Sequence, residues 1–190
     1  RPDHFGNVAT ALDARGFQVH VHAIGDRAVR DALDAFAVMR ARNGPSDTRP
    51  HVAHLQVVHP DDVPRFAALG VTANAQAYWA VHEAQMDELT IPFLGQARAA
   101  LQYPWRPPVP AGGPVPVGAG RSVATPGPPS PAEVAGAPRH DPDRGTAPFL
   151  PDERLELRDA LGAFTAGSAR VCHLDETGTL DVGRLADIAV

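Results

Sequence analysis

The sequence predicts an α/β protein built on a parallel sheet. Three observations carry that expectation. Up to about Gln102, segments of period two alternate with segments of period 3.6. Their order is strand, helix, strand, helix, strand, which right-handed crossovers between parallel strands require. Gly and Pro punctuate the points where each element should end.

The first strand is "FQVHVHA", Phe17 to Ala23. Phe17, Val19, Val21 and Ala23 share one face, and Gln18, His20 and His22 the other. Asp26 is placed to cap the following helix through its carboxylate. That helix buries Val29, Ala32, Leu33 and Phe36, and Asn43-Gly44-Pro45 stops it. "HVAHLQVV", His51 to Val58, is the second strand. Pro60 opens a short helix carrying Val63, Phe66 and Ala67, and Gly70 closes it. "VTANAQ", Val71 to Gln76, is the third strand. A barrel and an open, flavodoxin-like sheet both fit this order.

The chain has 20 prolines, concentrated between Pro104 and Pro142. Proline fixes φ and removes a donor, so no helix or central strand is expected there. An ordered tail resumes at Phe149. With 44% apolar and 21% charged residues, the 190-residue chain can bury a core. A net charge of −5 argues against a general nucleic-acid binder. No apolar run approaches the roughly 20 residues of a membrane span. The lone Cys172 excludes an internal disulfide and fits a reducing, cytoplasmic setting. The first residue is Arg1, not Met, and no signal peptide opens the chain, so processing or truncation of an earlier start is expected.

The histidines raise the functional question. His22 and His54 each lie near the C-terminal end of a strand, the end that carries chemistry in a parallel barrel. By strand parity, Val52, His54 and Gln56 share one face and His51 takes the other. Two readings stay open: hydrogen-bonded histidines lining a core, or part of a metal-ligand set, since zinc favours imidazole nitrogen. On the second, their nearest ring nitrogens fall within about 6 Å of each other. His20 lies deeper and reads as structural, as does His51. His82 and Glu83 follow the third strand on a loop where they could touch substrate. His59 sits at a helix start, and His4, His140 and His173 show no pattern.

Three stretches, "VHVHAIGDRAVRDALDAF", "HVAHLQVVHPDDVPRFAALGV" and "WAVHEAQMDELTIPFLG", resemble the second half of the YtcJ-type metal-dependent amidohydrolases (amidohydrolase 3). The tail "AFTAGSARVCHLDETGTLDVGRLADIAV" is similar to that superfamily's G-x-L-x-x-G-x-x-A-D ending. The resemblance implies the second half of a (β/α)8 TIM barrel over residues 1–175, with an irregular 103–143. It makes residues 176–190 the start of a return strand to a small β-sandwich. It also implies hydrolysis of a non-peptide C–N bond in a small amide or N-formyl substrate, with a divalent metal, zinc, as cofactor. The family's strand-five and strand-six ligands fall on His22 and His54. Read from the residues themselves, Asp26 is either the helix cap or the carboxylate behind a ligating His22, and His82 is either an exposed loop residue or a contact to substrate. A whole barrel runs to about 250 residues, and the family's H-x-H of strand one has no counterpart here. At the family's strand-eight G-S-D-W-x-V this chain reads "GAGRSVATP", with Gly120 at the Asp and Arg121 at the Trp. Each of these changes needs a single base change, as in a decayed segment. Glycine offers no carboxylate, so no catalytic base is assigned. The alternative expectation is therefore an inactive remnant or binding module that keeps the scaffold.

Overall fold

The longest helix forms where apolar residues recur at helical spacing. In the computed structural model, Val29, Ala32, Leu33, Phe36 and Met39 of that helix are at most 1% exposed. The structure describes residues 2–74, 76, 79–104, 117–118, 149–153, 155 and 157–186. The elements that position the site are α1 (Pro2–Asp13), β1 (His20–Ala23), α2 (Asp26–Asn43), β2 (His51–His54), a 3-10 turn (Pro60–Asp62), α3 (Val63–Leu69) and β3 (Thr72–Asn74). They are followed by α4 (Ala84–Asp87), α5 (Ile91–Leu94), α6 (Gln96–Ala99), β4 (Val117–Gly118), α7 (Leu157–Gly162) and α8 (Ser168–Val171). A π-helical turn, Ala163–Gly167, joins the last two helices.

The four strands are parallel and lie in the order β1-β2-β3-β4. A flavodoxin-like sheet reverses its winding after the second strand, and no reversal occurs among the described strands. In the register, Val21 lies beside Val52, and Val52 beside Ala73. These residues, with Ala23, meet α1, α2 and α3 in one apolar cluster. The other face carries His20, His22, His51, Thr72 and Asn74, so helices cover the sheet on its apolar side.

Several expectations are corrected. The first strand begins only at His20, and Phe17 is 57% exposed. Ala67 is exposed, while Leu69 packs on the core instead. The second strand stops at His54 because His54 and Leu55 have φ of +77° and +50°, outside the extended region. Asp26 is the first helical residue and Gly25 the N-cap, with extended φ and ψ and no side-chain bond. Within the proline-rich stretch Val117 and Gly118 do form a strand, pairing with Ala73 and Asn74. Both residues follow Pro116 and keep their own N–H, which suffices for a two-residue pairing. The rest of that stretch, Gly120 and Arg121 included, lies outside the described residues. Of the expected return segment at 176–190, residues 176–186 form turns and bends with no strand, and 187–190 lie outside the described residues. No described helix is long and apolar enough to cross a membrane.

Helix α1 is an addition that the strand–helix pattern did not announce. Ala9 is buried, and Phe5 and Leu12 pack beside it on the core. Its last residue, Asp13, is 5% exposed and fastens α1 to the loop after α2. Its carboxylate accepts from Thr48 Oγ1, from Ser46 Oγ at 2.9 Å and from Asn43 Nδ2 at 2.8 Å. Burial alone would raise its pKa. The bonds from Thr48, Asn43 and Ser46, with the Arg40 charge, outweigh burial and hold it below the ordinary value. A depressed carboxyl contributes stability above its unfolded pKa of about 3.9, and that stability is lost as pH falls through the folded value. Asp13→Ala is expected to destabilise by about 1–3 kcal/mol at pH 7 and to flatten the acid limb below pH ~4. Urea melts at pH 7 and pH 3 check both; equal pH dependence in the two proteins would refute the assignment.

The tail is tied down by polar bonds. Arg49, 9% exposed, donates to Asp175 through both terminal nitrogens, at 2.7 and 2.6 Å, and to the Arg170 carbonyl at 2.7 Å. Gln18 Nε2 donates to the carbonyls of Arg49 and Val171.

Candidate metal centre

On the polar face of the sheet, β1 presents His20 and His22, both exposed. The register sets His51 beside His20 and Ala53 beside His22. His51 therefore shares the histidine face, its ring centroid 4.3 Å from that of His20, which corrects the parity assignment. Simple alternation would send His54 to the helix side with Val52. The positive φ at His54 turns the backbone instead. Its ring returns to the polar face, and Leu55 drops into the core at 4% exposure. Non-glycine residues held at positive φ cost of order 1–3 kcal/mol and gather at ligand clamps and active sites.

His22 Nδ1 and His54 Nε2 stand 2.9 Å apart, one of them donating to the other. The two ring nitrogens thus converge at the C-terminal ends of neighbouring parallel strands, well inside the expected 6 Å. Burial, then the neighbouring His22, holds the His54 imidazole below its usual pKa, with Gln76 acting against them. Gln76 Oε1 is buried and forms no hydrogen bond of normal geometry, so it faces His54 as a polar neighbour. Burial, then His22 and His54, lowers the pKa of His20; burial, then His20, lowers that of His51 despite a bond to the Arg49 backbone. The lowered values favour the unprotonated form of His20, His51 and His54, the form a metal ligand needs.

Two imidazole nitrogens on one tetrahedral zinc, each about 2.0–2.1 Å from it, lie roughly 3.4 Å apart. The pair fits a metal once the nitrogens separate by a few tenths of an ångström, both rings turn toward a common point and the shared proton moves to a far ring nitrogen. Among the described residues no group of three or more His, Cys, Asp or Glu side chains could hold one.

The other candidates lie elsewhere. Asp26 bonds not to His22 but to Arg98 of α6, whose Nη2 donates at 2.6 Å, and to the Arg27 N–H. The Arg98 bond is the main reason its carboxyl lies below the ordinary range. Arg98 is 72 positions away, beyond any local pattern. His82 Nδ1 pairs with Asp87 Oδ1 at 2.8 Å, and its ring meets Phe149 edge-on. His59 accepts from the Asp61 N–H and caps the 3-10 turn, as its place before Pro60 suggested. Two residues past His54, Gln56 donates to Gln102 at 3.1 Å. Gln102 lines a cleft of about 490 Å³ with Ile91, Ala99, Phe149 and Leu150.

The sequence profile of the amidohydrolase family matches residues 2–190. The chain belongs to the amidohydrolase family. Protein LONG AFTER FAR-RED 3 of Arabidopsis thaliana is 30% identical over 191 residues, covering 100% of this chain and 32% of that protein. The exoenzymes regulatory protein AepA of Pectobacterium carotovorum subsp. carotovorum is 54% identical over 63 residues, 33% of this chain and 13% of that protein. Among solved structures, an uncharacterized metal-dependent hydrolase from Pyrococcus furiosus aligns with a TM-score of 0.68 at 25% identity. One from Pyrococcus horikoshii aligns with a TM-score of 0.73 at 24% identity. Each alignment covers 98% of this chain and 36% of the solved one. This amidohydrolase-family chain thus spans about a third of the length of the full-span relatives it matches.

Proposed function

We propose that this chain supplies His22 and His54 as two ligands of a divalent metal, zinc, in an amidohydrolase acting on non-peptide C–N bonds of small amide or N-formyl substrates. The 2.9 Å approach of the two ring nitrogens carries the reading. The scaffold we propose is the second half of a (β/α)8 barrel over residues 1–175, with 176–190 leading into a β-sandwich. The sequential parallel strands and the one-third coverage of the full-span relatives support it.

When bound, the metal supplies a water that ionises near neutral pH and polarises the scissile carbonyl. This chain's residues hold and orient. The turned backbone at His54 aims Nε2 at the site. Asp26 fixes the connection after β1 through Arg98 rather than by bonding to His22. His82, set by Asp87, is the imidazole proposed to face substrate.

A second reading, a scaffold that binds metal without turnover, draws on Gly120. The family resemblance puts the proton-accepting carboxylate there, and glycine has none. Two imidazoles also fall short of the three protein ligands usual in catalytic zinc sites. Zinc titration of the purified chain, paired with assays on N-formyl and simple amides, separates the readings. The expected result is one chelator-removable zinc per chain and no turnover. Turnover is expected only from Gly120→Asp protein supplied with the barrel half that carries the other ligands. A chain that takes up no zinc overturns the metal site, and turnover by the unmodified chain overturns the scaffold reading.

A further inference from the structure

Resting on the His22–His54 reading, we infer that His20, backed by His51, is a positioning residue that holds the His22 ring in the orientation in which Nδ1 meets His54. The His20 and His22 rings stack with centroids 4.9 Å apart and planes 18° from parallel. Behind them, His51 lies 4.3 Å from His20 at a tilt of 51°. The column runs from a fixed base to a free end. His51 is 7% exposed and directly opposite His20 in the strand register, while His20 and His22 are exposed. His51 Nδ1 is buried with no hydrogen-bond partner, so on that edge contact alone holds the ring.

An exposed imidazole ordinarily samples several rotamers, and ordering it costs conformational entropy. His22 meets its partner through Nδ1, the nitrogen nearer the backbone, which tolerates little ring rotation. A flat neighbour on one face removes most of that freedom before any ligand arrives, which is preorganisation. The same geometry argues against His20 as a third ligand. Rings stacked nearly parallel direct their nitrogens side by side, not at a common point.

The test uses the metal-free chain labelled with ¹⁵N at histidine, comparing wild type, His20→Ala and His20→Phe. Imidazole ¹⁵N spectra should show one N–H···N pair for His22 and His54 in wild type. That signature should average out in His20→Ala and return in His20→Phe, whose ring stacks but cannot ligate. Zinc affinity should fall about 10-fold in His20→Ala, within the range for losing an outer-shell partner, and stay near wild type in His20→Phe. Thermal melts should coincide for all three, since His20 is exposed. His20→Ala matching wild type overturns the inference, as does wild type lacking the imidazole pair. His20→Phe behaving like His20→Ala also overturns it, pointing to His20 nitrogen as a ligand. Wild type that shows the pair but takes up no zinc removes the metal-centre reading and leaves the positioning role standing.

Discussion

His22→Ala and His54→Ala should each weaken zinc binding more than about 100-fold, beyond the roughly 10–100-fold cost of losing an outer-shell partner. The described residues offer no group of three ligating side chains, so each imidazole carries a large share of the affinity. With one ring of the converging pair gone, the other is left without a second nitrogen directed at the same point and competes poorly with water for the ion. The double variant should therefore be little worse than either single one, because residues acting as a unit are not additive. Competition against a chromophoric chelator measures all three. His59→Ala serves as the control, since His59 only caps the 3-10 turn. Its affinity should equal that of wild type. Either single variant binding zinc as tightly as wild type would show that the 2.9 Å pair is a hydrogen bond and nothing more.

Sequence periodicity reveals the parts of this protein that local rules govern. Val29, Ala32, Leu33 and Phe36 announce α2 because a 3.6-residue repeat needs no knowledge of what lies opposite. The pairing of His22 with His54 was legible too, but through resemblance and strand ends rather than through parity. Parity fails at β2 because it assumes extended backbone, and His54 at φ +77° is not extended. That one dihedral moves His54 onto the face His51 already occupies and leaves Leu55 to fill the core. No alternation count contains it. Asp26 shows a different limit. A carboxylate at a helix start looks like a cap, yet its strongest partner is a guanidinium that only the folded chain brings near. In the proline-rich stretch, residue density misses a pairing only two residues long at Val117 and Gly118.

Phe36→Ala should be the most damaging single core change, at about 3–5 kcal/mol. Phe36 is fully buried in the cluster that joins α2 to Ala9 of α1, to Val52 of β2 and to Phe66 of α3. Removing the ring forfeits its transfer free energy and leaves a hole that the close-packed strands behind it can only partly close. Whole domains are stable by only about 5–15 kcal/mol, so the variant should forfeit between about a fifth and all of that margin. Phe93→Ala is the matched contrast. Phe93 is 80% exposed, and its loss should stay within about 0.5 kcal/mol. Urea unfolding followed by tryptophan fluorescence gives both values. The same melts connect core to site, because a ligand that binds only the folded state stabilises by about 2.7 kcal/mol at 100 times its Kd. Zinc at that excess should restore most of what Phe36→Ala loses, provided β1 and β2 still present His22 and His54 to each other. A Phe36→Ala protein as stable as wild type would mean that α2 does not rest on the sheet as described. A destabilised one that zinc fails to rescue would mean that the sheet holding the two histidines depends on this one ring.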